Sequence, residues 1–99
     1  MTNQRIYKYI YPLIEDPKRI KMPRGSSILG VEEQFGNIVV YALIDKDEQT
    51  IIDYPIAVLG TGRRVPSDIN DYAFLGTVKL FGGELMFHVF CKKTDKHPS

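Results

Sequence analysis

Two guanidiniums in succession after a Gly-Thr-Gly turn are the arrangement in this 99-residue chain best suited to hold a ligand. In Gly60-Thr61-Gly62-Arg63-Arg64 the glycines let the backbone turn with its amides exposed, and the Thr61 hydroxyl stands between them. Arg63 and Arg64 add forked donors that match phosphate or carboxylate oxygens. This chemistry suits an anionic metabolite or a nucleotide. The segment lacks the lysine and the helix entry of a P-loop, and glycines with arginines also serve simply to end a strand and solvate its turn. His88 lies in Leu85-Met86-Phe87-His88-Val89-Phe90, where strand alternation sets it on the face of Met86 and Phe90. No serine or cysteine forms a recognisable nucleophile motif with it, so it reads as a structural histidine rather than a general base. The single cysteine, Cys91, falls on the opposite face with Phe87 and Val89 and reads as a small buried hydrophobe. Glu32 and Glu33 point to opposite sides of a strand, and Asp45, Asp47 and Glu48 crowd a loop without the glycine and spacing of a calcium loop. The residues therefore predict a non-enzymatic protein with no metal and no cofactor.

Composition narrows the partners. Thirteen Lys plus Arg against twelve Asp plus Glu leave a net charge of +1, far from the basic excess of a phosphate-backbone binder, so nucleic acid is an unexpected partner. One cysteine cannot close an internal disulfide, which fits a reducing cytoplasm. No segment approaches the roughly 18 consecutive apolar residues of a membrane span, and Met1–Arg5 leads into a strand pattern rather than a signal core.

The elements that must position these residues are strands. At this length a single core is expected, so residues 1–93 are predicted to form one β domain and 94–99 a polar tail that frays. Tyr7, Tyr9 and Tyr11 alternate with Ile6, Lys8 and Ile10 in a first strand whose regular pairing Pro12 ends, or which Pro12 marks as an edge. Turns are expected at Glu15-Asp16-Pro17-Lys18 and Pro23-Arg24-Gly25-Ser26, with a short strand from Lys18 to Met22 between them. Gly36-Asn37 and Gly82-Gly83 read as two-residue hairpin turns, each between apolar strand runs. Lys46-Asp47-Glu48-Gln49 leads into a strand from Thr50 to Leu59, giving the middle of the chain the look of a meander. Between Gly60 and Tyr72 the only helical signal is one turn over Ser67–Asp71, capped by Ser67. With no helix to serve as a crossover, the fold class is all-β: a small antiparallel sandwich or barrel of about six or seven strands with at most one short helical turn.

Two strands break the inside–outside alternation. Ile38 to Ile44 is apolar throughout, and Leu85 to Phe90 is interrupted only by His88, so both want cover on both faces. No spare helix supplies it, and a two-fold homodimer is the expectation.

Ile6-Tyr7-Lys8-Tyr9, Met22-Pro23-Arg24-Gly25 with Ile28-Leu29, Ala42-Leu43-Ile44-Asp45, Gly60-Thr61-Gly62, Leu75-Gly76-Thr77 and Phe87-His88-Val89-Phe90 together resemble a family of small phage- and prophage-encoded proteins of unknown function. The likeness spans roughly Ile6 to Phe90; those relatives often carry a tryptophan where this chain has Tyr41. It implies a viral origin and expression in the cytoplasm of a bacterial host, and it brings no catalytic residues with it. The expected role is that of a phage accessory protein, an interaction module on a host or viral macromolecule. The alternatives are a small-ligand binder that sequesters an anionic metabolite or nucleotide through Arg63 and Arg64, and a minor virion component.

Overall fold

A computed structural model describes residues 3–93 as seven strands in two antiparallel sheets. The strands are β1 (Gln4–Tyr11), β2 (Arg19–Pro23), β3 (Ser27–Gln34), β4 (Asn37–Asp45), β5 (Ile51–Gly60), β6 (Tyr72–Leu80) and β7 (Leu85–Lys92). One sheet has the order β1-β4-β3 and the other β2-β5-β7-β6. The all-β expectation holds, and of its two architectures the chain adopts the sandwich. The polar tail expected at 94–99 lies outside the described residues.

The tyrosine face of β1 turns inward. Tyr11 pairs with Ile38 and Tyr9 with Val40, and partners directly opposite in an antiparallel ladder share a face. Ile38, Val40, Ala42 and Ile44 of β4 meet Tyr54 and Ile56 of β5, Val78 and Leu80 of β6, and Val89 and Cys91 of β7 in one core. Ile20 and Met22 close it from β2. The core tyrosines anchor turns. The Tyr54 hydroxyl donates to the Pro23 carbonyl at 2.8 Å and accepts the Ser26 N–H at 3.0 Å, which fixes the Pro23–Ser26 turn. The Tyr11 hydroxyl donates to Asp16 and accepts the Lys18 N–H at 3.0 Å, holding the second turn, where Asp16 and Lys18 both take left-handed backbone.

On one side the sheets close on each other through β3 and β6. Each of these strands carries a bulge, at Leu29 and at Leu75. The first lets Ile28 and Val31 both pack on the core, which strict alternation forbids for residues three apart. The second brings Gly76 so near that a Cβ there would lie 2.9 Å from Val31 Cγ2.

Several local expectations shift. Both hairpins form, but the β3–β4 turn is Phe35-Gly36, with Gln34 paired to Asn37, because the Glu33 carboxylate accepts the Gly36 N–H at 2.8 Å and closes the turn one residue early. The β6–β7 connection is longer than two residues. Pairing stops at Leu80–Leu85, and Phe81 to Gly83 form a 3-10 turn closed by the Glu84 N–H on the Phe81 carbonyl. A second 3-10 turn occupies Ile69–Asp71, within the stretch where a helical turn was expected, but Asp68 rather than Ser67 precedes it and makes no side-chain cap. The middle of the chain is not a meander: β4 and β5 lie in different sheets, so the loop after Asp45 crosses between layers.

Candidate functional site

β5 runs into the Gly60–Arg64 segment at the end of the sandwich where β7 begins, and Gly60 pairs with Phe87. The turn is tight. Arg63 N–H donates to the Gly60 carbonyl at 3.1 Å, and Gly62 takes a φ of 88°, a conformation glycine adopts without strain. A Cβ at Gly60 would rest in ordinary contact with the Arg63 stem at 3.5 Å and the Phe87 ring at 3.7 Å, which shows how closely both side chains pack over this strand end.

The fold divides the five candidate residues between two surfaces. Gly60, Arg63 and Arg64 line an open depression of about 420 Å³ with Val58, Leu59 and Phe87. Thr61 goes elsewhere. Its hydroxyl lies 2.8 Å from His88 Nε2 on the outer face of the sheet, and His88 Nδ1 lies 2.9 Å from the Thr77 hydroxyl. Thr77 pairs directly with His88 across β6 and β7, which is why its side chain reaches the ring. Both ring nitrogens are thus engaged. The Thr61–His88–Thr77 chain itself was not foreseen, because it depends on a strand register and a turn that no local signal encodes.

Charge at the depression is one-sided. Arg63 and Arg64 are exposed, and among the described residues neither forms an ion pair. Elsewhere, Lys18 pairs with Asp16 at 2.8 Å, Lys21 with Asp53 at 2.7 Å, and Arg24 with Glu48 at 3.6 Å. Hydrogen bonds from Lys18 and then Tyr11 hold the Asp16 carboxyl below its ordinary range, and burial first, then the Asp16 contact, drives the Tyr11 hydroxyl upward. Burial alone pushes the Cys91 thiol up to about 11, which suits the inert role read from the sequence. The scattered acids serve the backbone. Asp45 accepts the Asp47 N–H and Glu48 the Thr50 N–H, and among the described residues no group of three or more His, Cys, Asp or Glu could hold a metal.

A second surface stands out on the far side of the molecule. Ile6, Ile10 and Leu29 on the β1-β4-β3 sheet are 63%, 56% and 54% exposed. Ile6 and Ile10 pair with Leu43 and Val39, so the strand register sets all four on the outer face. The central strand β4 is better covered than its sequence suggests, since outward Val39 is 0% exposed between its ladder partners Ile10 and Glu32. The unmet demand for cover has moved to the flanking strands.

No curated protein and no solved structure matches the chain. A family profile does, over residues 2–99, and the chain belongs to that family, a domain of unknown function (DUF7352).

Proposed function

We propose that this protein is a non-catalytic interaction module, a phage-encoded accessory that works in the cytoplasm of a bacterial host on a host or viral macromolecule, and that it does so as a two-fold dimer. The observation that supports this reading is the outward apolar surface of the β1-β4-β3 sheet. Each of Ile6, Ile10 and Leu29 has more than half its surface in water, and stacking a second copy on the sheet recovers about 1 kcal/mol per side chain before association costs. Charge favours the same partner. Lys8 on β1 and Glu32 on β3 pair with Tyr41 and Val39 of the central strand, and so flank this face with opposite signs. A two-fold axis parallel to the strands lays β1 of one copy over β3 of the other, bringing Lys8 toward Glu32 twice.

Light scattering coupled to size exclusion tests this reading. The wild-type protein at micromolar concentration should show twice the 11.3 kDa chain mass. Ile10→Glu should show one chain mass with an unchanged circular dichroism spectrum. A wild-type mass of one chain would refute the dimer.

A further inference from the structure

Among the described residues, half of β5 has no neighbour on one side. β2 accompanies β5 only from Ile51 to Pro55, while β7 lies along the opposite side of Ile56 to Gly60. The hydrogen bonds at either end establish which backbone groups face the open side. Ile56 N–H donates to the Lys18 carbonyl at 2.9 Å, toward β2, whereas Thr61 N–H donates to the Met86 carbonyl at 3.3 Å, toward β7. In an antiparallel strand the N–H and C=O of one residue face the same side, and successive residues alternate. Val58 therefore presents both groups, and Gly60 its N–H, beyond the end of β2. The chain turns away there because Lys18 has a φ of 70° and gives its own N–H to Tyr11, leaving the Ile56 carbonyl free of it. A strand edge of this kind is a template for another chain.

Space and charge along the edge say what kind of chain. A depression of about 190 Å³ lined by Asp16, Lys18, Ile56 and Pro66 adjoins the one beside Arg63 and Arg64, and the two share Val58 and Leu59. Between the charged ends the floor is apolar, formed by Ile56, Ala57, Val58 and Leu59. Lys18 at one end is neutralised by Asp16, while the arginines at the other end carry no such partner among the described residues. We infer that the open edge of β5, Ile56–Gly60, is a peptide-binding site that takes an extended segment of a partner protein as an added antiparallel strand, with an Asp or Glu side chain of that segment on Arg63 and Arg64. Main-chain pairing to Val58 and Gly60 supplies the register, and the apolar Ile56–Leu59 floor favours β-branched or aromatic side chains at alternate positions. The site lies in the sheet opposite the dimer face, so it stands or falls apart from it.

The test begins with selection from a library of short random peptides against the wild-type protein. It should enrich sequences with an acidic residue at one end followed by alternating apolar residues. A selected peptide added to isotope-labelled protein should shift the Val58 and Gly60 amide signals and slow their hydrogen exchange. Arg63→Ala with Arg64→Ala should weaken binding about tenfold or more, and Ile10→Glu should leave it unchanged. The inference is overturned if no sequence is enriched, if the enriched peptides leave those two amides unaffected, or if the arginine variant binds equally well. Inorganic phosphate that raises the melting temperature through Arg63 and Arg64, with no peptide enriched, would mark a small-anion cradle and overturn it too.

Discussion

Replacing Gly76 by alanine tests the closure of the sandwich at its β3–β6 side. The new Cβ would stand 2.9 Å from Val31 Cγ2, where carbon atoms ordinarily rest about 3.5–4.0 Å apart. Val31 cannot easily yield, because a β-branched side chain is stiff at χ1. Forcing such an overlap into a packed interior costs about 1–3 kcal/mol. The Gly76 φ of 157° lies at the margin of what a side chain tolerates and adds to that cost. Against it stands a gain of about 0.4–1 kcal/mol from the stiffer unfolded chain. The balance is a loss of about 2 kcal/mol, which for a domain of this size lowers the melting temperature by roughly 8–16 °C. Urea and thermal unfolding measure it directly. Gly30→Ala is the control, since a Cβ there meets nothing within 4 Å, and it should be neutral or slightly stabilising. Adding Val31→Ala to Gly76→Ala should restore more stability than additivity allows, because the clash is shared by the two positions. Wild-type melting of Gly76→Ala, or a strictly additive double mutant, would refute the close approach of the two sheet edges.

Valine at both Gly82 and Gly83, whose φ values are 67° and 95°, should cost about 1–2 kcal/mol at each position in denaturant titrations, far more than removing the exposed Lys21–Asp53 pair. Tyr11 has a raised folded pKa, so its contribution to stability is complete below about pH 10 and fades as pH climbs above that. Asp16 has a lowered one, and its contribution, present above the ordinary carboxylate range, is lost as pH falls through the depressed value. Tyr11→Phe should flatten the alkaline limb of a stability–pH curve and cost about 1–3 kcal/mol, since the Lys18 N–H loses its acceptor and Asp16 one of its two donors. Cys91 should react with a thiol reagent at pH 8 only after denaturation, given its buried thiol with a pKa pushed up to about 11.

Much of the fold was legible because strand alternation and turn chemistry are local. The Tyr7-Tyr9-Tyr11 stripe, the apolar run of β4 and the glycines at 36, 82 and 83 are enough to predict an all-β chain with two hairpins. The register within those hairpins was not, because side-chain contacts across the turn decide it. Glu33 binding the Gly36 N–H moved one turn by a residue, and the Phe81–Gly83 turn lengthened the other. Nor could turn signals say that the loop after Asp45 passes between sheets, since a polar four-residue connection serves either path.

The candidate site divides in the same way. The residue types of Gly60-Thr61-Gly62-Arg63-Arg64 belong to the sequence alone, and they suffice to mark a turn carrying two anion donors. Tertiary structure decided that Thr61 leaves this group for His88, because β6 and β7 place Thr77 and His88 directly opposite each other while the turn after Gly60 brings the Thr61 hydroxyl to His88 Nε2. It also decided where the open strand edge lies. β5 has an unpaired half because the Tyr11–Asp16–Lys18 contacts end β2 at Arg19, and a missing neighbour is a property of the assembled sheet that no stretch of residues can spell out by itself.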